Sequence, residues 1–293
     1  MTLLDGKAVS GQIKDEIAVE VSRMKEKGEK VPHLAAIIVG TDGASLTYVG
    51  SKVKACERVG FESTLIQMPS TTSELELLKK IEELNEDANI DGFIVQLPLP
   101  EQIDAQKVIM AIDPDKDVDG FHPTNFGKMA LDMSTFIPAT PFGILELLER
   151  YKVETKGKHT VVIGRSHIVG RPMSILMGRR GFPGNSTVTL THSHTKNITQ
   201  IISQADIVIS ALGIPNFVKA EMVKDDAVVI DVGITRVPDE TKKRGYYITG
   251  DVDFENVSKK ASFITPVPGG VGPMTIAMLM KNTLLARERH RSK

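Results

Sequence analysis

Short apolar runs alternate with longer amphipathic stretches along the whole chain, and this alternation constrains the fold most. The runs are Leu34–Val39, Ser63–Gln67, Phe93–Gln96, Thr160–Ile163, Thr187–Leu190, Ile207–Ser210, Val228–Asp231 and Tyr246–Thr249. Runs this short are typical of buried strands rather than of helices. Strands that alternate with helical patterns indicate βαβ units and a parallel sheet. The chain is therefore predicted to be an α/β protein.

The stretches between the runs predict the helices and the domain boundary. Helices are expected at Ser45–Val59, Ser73–Asn85, Gln102–Ala111, Phe142–Tyr151, Pro172–Met177, Asn197–Gln204, Lys219–Val223 and Met274–Ala286. We interpret the irregular, proline-containing segment Phe121–Pro141 as a domain junction. Residues 1–138 then form an α/β catalytic domain, and 139–271 a Rossmann-like, doubly wound nucleotide-binding domain. The final helix, within 272–293, is expected to pack back on the first domain. We find no internal repeat.

Composition excludes several classes of protein. A length of 293 residues suits two domains. The 36 Lys and Arg residues balance 37 Asp and Glu residues, so a dedicated nucleic-acid binder is not expected. The amino terminus lacks a signal-peptide pattern, and the apolar runs are far shorter than the roughly 20 residues of a membrane span. The single cysteine, Cys56, rules out an internal disulfide and indicates a reducing compartment. We therefore expect a soluble, cytoplasmic protein.

A glycine-containing turn follows the strand Thr160–Ile163. The strand runs into Gly164–Ser166, and Gly170 follows. Such a turn can direct backbone N–H groups and a helix amino terminus at a pyrophosphate. Ser166 stands where the standard fingerprint has its second glycine. Two interpretations stay open: a phosphate-binding turn, and a turn that only packs a strand on a helix.

The end of the next strand favours NADP over NAD. NAD-selective folds usually carry an Asp or Glu there to bind the ribose hydroxyls. Here the strand Thr187–Leu190 runs into Thr191–Lys196, which has no carboxylate. A pocket with Arg165, Ser193 and a nearby His or Lys would suit a 2′-phosphate. The two histidines of the segment can equally belong to a polar loop, and neither has a partner at metal-ligand spacing, so no metal site is predicted.

Two later turns could complete this site. Ser210–Gly213 follows one strand and Asp231–Ile234 follows the next. Ligands of open α/β sheets lie outside the carboxyl ends of the strands. Small residues at these positions would let a ribose and a nicotinamide approach the backbone, although Gly213 and Gly233 can also be plain turn glycines.

A possible catalytic group lies in the first half. Tyr48 and Lys52, at i and i+4, share one face of a predicted helix. Burial can lower a lysine pKa towards neutrality, which suits proton transfer. Gln96 ends a buried strand and could orient Lys52 or a substrate carbonyl. Cys56 follows on the same helical face, so we expect a buried thiol beneath the site. A Tyr/Lys pair of this spacing can also be plain surface decoration.

An acidic segment resembles the start of a calcium loop without completing it. Asp115, Asp117 and Asp119 have the required spacing, but Phe126 would take the place of the bidentate glutamate and Pro123 would lie inside the loop. We therefore reject a calcium site. A carboxylate here is better suited to accept N–H bonds from a heterocycle that bears an amino group.

Together these segments resemble the bifunctional methylenetetrahydrofolate dehydrogenase/methenyltetrahydrofolate cyclohydrolase family. The matching pieces span nearly the whole chain in the family's order: YVGSKVKACERVG, DGFIVQLPLP, PDKDVDGFHP, PATPFGILELL, VVIGRSHIVGRP, DVGI, TGDV and TPVPGGVGPMT. The resemblance implies two domains whose folate and NADP sites face one cleft, and a homodimer formed through the nucleotide-binding domains. One departure from the family, a longer connection at Gly178–Gly184, lies near the expected adenosine end of the cofactor.

The resemblance also implies residue roles. Lys52 is central to cyclohydrolase chemistry, Tyr48 positions the substrate, and Gln96 holds Lys52. Asp119 binds the pterin of a tetrahydrofolate substrate. The residues implied for NADP are Gly164, Arg165, Ser166, Ser193 and Ile234, and those lining the folate cleft are Pro268, Gly269, Gly270 and Val271.

The implied reaction has two steps. NADP takes a hydride from 5,10-methylenetetrahydrofolate, and the methenyl product is hydrolysed to 10-formyltetrahydrofolate while Lys52 manages the protons. Three alternatives stay open: a dehydrogenase-only member of the family, an amino-acid or shikimate-type dehydrogenase of similar plan, and a non-catalytic nucleotide-binding regulator.

Overall fold

The computed structural model describes residues 1–40, 43–242 and 245–291, so the last two residues of the predicted segment 272–293 lie outside the described ranges. The chain divides into two compact units. We name them after their parallel sheets. The three-stranded unit comprises Gly11–Ala139 and 276–291, and the six-stranded unit comprises Met1–Ser10 and Thr140–Thr275.

Helices and strands are numbered in chain order. The helices are α1 (Gly6–Glu26), α2 (Gly43–Val59), α3 (Glu74–Glu86), α4 (Ala105–Ala111), α5 (Pro123–Ala130), α6 (Ala139–Arg150), α7 (Gly170–Gly178), α8 (Ile198–Ile202), α9 (Phe254–Val257) and α10 (Val271–Arg291). The strands are β1 (Thr2–Leu3), β2 (His33–Val39), β3 (Glu62–Met68), β4 (Gly92–Val95), β5 (His159–Ile163), β6 (Thr187–Thr191), β7 (Ile207–Ser210), β8 (Val228–Asp231), β9 (Thr235–Pro238), β10 (Tyr246–Thr249) and β11 (Phe263–Ile264). None of the helices built from described residues is both long and apolar enough to cross a membrane.

The three-stranded unit is built on a parallel sheet in the order β3-β2-β4. Strand β2 lies in the centre and is buried almost throughout, whereas β3 alternates exposed and half-buried residues, as expected of an edge strand. Helix α3 begins with a capping box between Ser73 and Glu76 and buries Leu77 and Ile81 against the sheet. Because β4 ends at Val95, the next side chain lies at the carboxyl edge of this sheet.

The six-stranded unit has a parallel sheet in the order β1-β11-β8-β7-β5-β6 within the described chain. Strands β5, β7 and β8 are almost entirely buried, and helices and loops cover them with apolar side chains. From β5 the chain proceeds to β6 on one side and to β7 and β8 on the other. This is the doubly wound plan, in which ligands bind at the carboxyl ends near the point where the order reverses.

The structure differs from the sequence prediction at the domain boundary. Residues 1–10, predicted within the first domain, belong to the six-stranded unit because β1 adds to its sheet: the Thr2 N–H donates to the Ser262 carbonyl at 2.6 Å and the Leu4 N–H to the Ile264 carbonyl at 2.8 Å. Residues 272–275 belong there too, and the Thr140 and Thr275 hydroxyls are 3.0 Å apart.

Local predictions also needed correction. The supposed junction Phe121–Pro141 contains α5, which starts at Pro123 with His122 Nδ1 accepting the Thr124 N–H at 3.0 Å. Proline at the first helical position is the signal that the composition argument overlooked. Helix α1 was not predicted at all. The helix expected at Lys219–Val223 is a single 3₁₀ turn, Ala220–Met222.

Candidate active site

The buried ammonium group of Lys52 is the centre of the predicted catalytic group. Lys52 lies on α2 and is 5% exposed, and its Nζ donates to Oε1 of Gln96 at 3.2 Å. The ring centroid of Tyr48, one turn earlier, lies 5.2 Å from the same Nζ. The Gln96 Nε2 donates to the Leu97 carbonyl at 2.7 Å, which fixes the orientation of the amide. The fold thus brings together three of the four predicted catalytic side chains in direct contact.

The fourth, Asp119, acts on Lys52 through its charge. Burial lowers the pKa of the Lys52 ammonium below its usual range, and the nearby Asp119 carboxylate partly offsets this. Burial likewise raises the pKa of the Asp119 carboxyl group, with Lys52 opposing the rise and Asp117 adding to it. A lysine with a lowered pKa is a neutral amine over more of the physiological range. This group can therefore accept a proton and return it.

Asp119 lies in a loop that Asp117 holds. The Asp117 carboxylate is almost fully buried and accepts the backbone N–H groups of Phe121 at 3.2 Å and His122 at 2.7 Å. It also accepts Nδ2 of Asn125 at 2.9 Å. The Asp117 carboxylate, one of those in the calcium-like pattern, therefore already binds N–H groups of the chain. Among the described residues, no group of three or more His, Cys, Asp or Glu is arranged to hold a metal ion.

Cys56 lies one turn beyond Lys52 and is fully buried, as predicted. Its Sγ lies 3.8 Å from Sδ of Met280. Burial raises the pKa of the thiol to about 12, so it stays protonated and unreactive at physiological pH. The role of Cys56 is packing.

Two glycines make the turn between β5 and α7 too tight for a side chain. A Cβ on Gly164, whose φ is +106°, would lie 2.3 Å from the Ala211 carbonyl oxygen, and one on Gly170 would lie 1.9 Å from the Gly164 carbonyl oxygen. Ser166 Oγ accepts the N–H groups of Val169 at 3.2 Å and Gly170 at 3.3 Å. Packing accounts for both glycines, and the same close turn lets α7 begin where a phosphate could bind.

The ends of β5 and β6 carry basic and polar side chains. Arg165 and Ser193 are both exposed. Partial burial, followed by the charges of Arg165 and His194, lowers the pKa of His192. No carboxylate stands between β6 and α8. A guanidinium, a hydroxyl and ring nitrogens without an opposing acid fit the phosphate groups of a dinucleotide.

The remaining predicted residues share one cavity in the six-stranded unit. Ile234, Ile248 and the segment Pro268–Val271 line a space of about 130 Å³. The loop is closely packed, since a Cβ on Gly6 would lie 1.8 Å from the Gly270 carbonyl oxygen. Ile234 itself is 56% exposed. The space is apolar and lies beyond the carboxyl end of β8.

Comparison with known proteins identifies the family. The family described as "Tetrahydrofolate dehydrogenase/cyclohydrolase, catalytic domain" matches residues 4–119, and "Tetrahydrofolate dehydrogenase/cyclohydrolase, NAD(P)-binding domain" matches residues 138–291. The chain belongs to the tetrahydrofolate dehydrogenase/cyclohydrolase family. The family predicted from the motifs is confirmed, together with its two-domain α/β fold, its enzyme class and an NAD(P) cofactor. The alternative of a dehydrogenase from another two-domain family is wrong.

Relatives within the tetrahydrofolate dehydrogenase/cyclohydrolase family match along their full length. "Bifunctional protein FolD" of Flavobacterium psychrophilum is 82% identical over 291 residues, 99% of each chain. The crystal structure of the bifunctional enzyme FolD from Campylobacter jejuni is 46% identical, covers 99% of each chain and superposes with a TM-score of 0.93. The Trypanosoma brucei enzyme, crystallised with NADP and an inhibitor, is 38% identical, with a TM-score of 0.94 and coverage of 100% of this chain and 99% of that one.

The sequence analysis did not single out two buried carboxylates, Asp231 and Asp251, although both stand in the quoted motifs DVGI and TGDV. Asp231 is 3% exposed and accepts the N–H groups of Gly233 at 3.0 Å, Asp251 at 2.9 Å and Val252 at 2.9 Å. Asp251 is fully buried. An acid at the end of an otherwise apolar strand, followed closely by glycine, is the signal that could have found Asp231.

The pKa of Asp231 gives the first prediction. Burial raises it from 3.8 to about 6 in the folded chain. The contribution of Asp231 to stability is therefore full below pH 3.8 and is lost as the pH rises through 6. Asn cannot ionise, so we expect the destabilisation caused by Asp231→Asn to shrink by about 2 kcal/mol between pH 4.5 and 7. Urea denaturation of both chains at each pH measures it, and a constant difference would contradict the assignment.

Proposed function

We propose that the chain oxidises 5,10-methylenetetrahydrofolate to 5,10-methenyltetrahydrofolate with NADP and then hydrolyses this product to 10-formyltetrahydrofolate. The observation that carries the proposal is the buried Lys52 ammonium in contact with the Gln96 amide and the Tyr48 ring. Full-length similarity to proteins named as bifunctional FolD supports it, as does the NADP bound in the Trypanosoma brucei relative.

The dehydrogenase step requires little acid or base catalysis by the protein. NADP, when bound, accepts the hydride from the one-carbon bridge. The folate nitrogens stabilise the resulting cation, so positioning of the substrate is the main contribution of the chain. Asp119 would hold the pterin by accepting its N–H groups, and Tyr48 would lie against the substrate.

The cyclohydrolase half requires three proton movements, two losses and one uptake. Water adds to the methenyl carbon and loses a proton. A carbon–nitrogen bond then breaks as the leaving nitrogen takes up a proton and the new hydroxyl group loses its own to form the formyl carbonyl. The net reaction releases one proton. Lys52 would take the proton from the water as a neutral amine and return it as an ammonium, a cycle that its lowered pKa supports. The Gln96 oxygen would keep the amine in place throughout.

The role of Lys52 gives a test with a matched control. Lys52→Met keeps the buried volume and removes the amine, so we expect hydrolysis of methenyltetrahydrofolate to fall by about 10²–10⁴-fold. Lys54→Met, an exposed lysine on the same helix, should leave it unchanged. A stopped assay without nucleotide measures the hydrolysis alone. Full turnover in purified Lys52→Met would overturn the assignment, while a native chain with only dehydrogenase activity would favour the dehydrogenase-only alternative.

We infer a preference for NADP from the exposed Arg165 and Ser193 and from the absence of a carboxylate between β6 and α8. Arg165→Ala should raise the KM for NADP about tenfold, because it removes a charge-assisted contact to the 2′-phosphate. The KM for NAD should change little. Spectrophotometry of methenyltetrahydrofolate formation with both cofactors tests this. Equal effects on the two cofactors would assign Arg165 to the shared pyrophosphate instead.

We also infer that two chains form a homodimer through the six-stranded unit. Strand β6 is an edge strand, and the Thr187 N–H donates to the Lys158 carbonyl at 2.9 Å. Since successive N–H groups of a strand point to opposite sides, those of Val188 and Leu190 face away from β5. This edge, which no other strand of the described ranges covers, can pair with a second copy.

The edge assignment predicts a change in mass. The native chain should elute with twice the 32.0 kDa of one chain. Leu190→Pro removes an outward N–H and should yield monomers. Leu65→Pro alters the equivalent outward position on β3, the edge of the other sheet, and should leave the dimer intact. Light scattering after size exclusion gives the masses, and a dimeric Leu190→Pro variant would place the interface elsewhere.

A reducing compartment, the cytoplasm, suits this enzyme. The one cysteine of the sequence, Cys56, is a free, buried thiol, so no disulfide within the chain contributes to stability.

A further inference from the structure

Asp251 fixes the loop that leaves β7. Its carboxylate is fully buried and accepts the Ser210 hydroxyl at 3.1 Å, the Leu212 N–H at 2.7 Å and the Ile214 N–H at 2.9 Å. Bonds from N–H groups to a buried carboxylate are stronger than neutral ones. A single side chain thus fixes the Ser210 hydroxyl and two backbone N–H groups within five residues.

The same buried acid is linked to the loop that leaves β8. The Asp251 N–H donates to the Asp231 carboxylate, which also accepts the Gly233 N–H. The two loops touch directly, because the Thr235 hydroxyl donates to the Gly213 carbonyl at 3.4 Å. A Cβ on Gly233 would lie 2.3 Å from Asp251 Oδ1, so this glycine is required by the carboxylate. The two acids and two loops form one packed block.

This block presents apolar side chains to solvent at the ligand-binding edge. Ile214 is 50% exposed and Ile234 is 56% exposed. Both follow the carboxyl ends of strands, β7 and β8, that lie on the opposite side of β5 from β6. If the adenosine phosphate lies at the β6 side, the nicotinamide half extends towards these two isoleucines.

We propose that Asp251 is a positioning residue for the cofactor: it holds the loops that place Ile214 and Ile234 against the nicotinamide half of NADP. Asp251 is buried beneath the loops and acts through them. The proposal rests on the proposed NADP-dependent function, and it assigns Asp251 a task beyond stabilising the fold.

Asp251→Asn tests the proposal by direct binding. The amide keeps one acceptor oxygen and turns an NH₂ group towards backbone N–H donors, so the loops lose their fixed positions. We expect the Kd for NADPH, measured by fluorescence titration, to rise about tenfold. The KM for NADP should rise by more than the KM for the folate substrate, and nucleotide-free hydrolysis should fall by a smaller factor.

Asp206→Asn is the matched control. Asp206 accepts the His159 N–H at 2.9 Å and pairs with Lys224 Nζ at 2.6 Å, at the opposite, amino-terminal edge of the same sheet. The same substitution there should lower the free energy of unfolding and leave the Kd for NADPH within about twofold of native. Equal losses of NADPH affinity in both variants would make the effect one of general stability and overturn the proposal.

Ser210→Ala covers the case in which Asp251→Asn does not fold. It removes one neutral donor to Asp251 and should raise the Kd for NADPH about threefold. Native affinity in Ser210→Ala and in any folded Asp251→Asn, with both native activities present, would overturn this inference and leave the proposed function standing. A native chain that does not bind NADPH would overturn both.

Discussion

Each parallel sheet is anchored where its strands begin by a buried or half-buried aspartate, which accepts the first N–H of the strand next to an edge strand. In the three-stranded unit, Asp91 accepts the His33 N–H at 2.9 Å, and the His33 ring lies 2.9 Å from the Thr64 hydroxyl on the edge strand. In the six-stranded unit, Asp206 accepts the His159 N–H at 2.9 Å, and that ring lies 2.9 Å from the Thr189 hydroxyl. These bonds pin three neighbouring strands, and a slip of one residue would turn every side chain to the wrong face.

The anchor occurs at the same register in both units. His33 pairs with Glu62 in one sheet and His159 with Thr187 in the other, and each threonine stands two residues further along its edge strand. Leu34 opposite Gly92 likewise corresponds to Thr160 opposite Ile207. The sequence shows no repeat because the shared residues are few and widely spaced. The strand pairing reveals a strand-start motif that the two sheets share.

At the carboxyl ends of the strands, buried aspartates have a second role: they accept N–H groups of the loops. Asp117, Asp231 and Asp251 each accept several N–H groups from loops, so the loops have defined shapes before any ligand arrives. Taking a carboxylate out of water is costly unless such donors surround it. Sequence patterns could predict eight of the eleven described strands, the Tyr48–Lys52 pair and the glycine turn, because these depend on local spacing. They could not predict the Asp117 and Asp251 loops, whose donors depend on how the chain returns.

A lowered lysine pKa does not by itself mark a catalytic residue in this chain. Burial lowers the pKa of Lys116 as it does that of Lys52, although three nearby aspartates partly offset the effect at Lys116. The Lys116 Nζ donates to the carbonyl oxygens of Leu84 at 2.8 Å and Asp87 at 2.7 Å, where α3 ends. An ammonium group there satisfies carbonyl oxygens at the carboxyl end of the helix, so the protons of Lys116 serve as structural hydrogen-bond donors. Lys52 instead meets a side-chain amide, an aromatic ring and an acid that also has a raised pKa. The Asp119 carboxyl group can exchange a proton and the Tyr48 ring can move with a substrate, whereas helix carbonyls can do neither, and this difference supports the role proposed for Lys52.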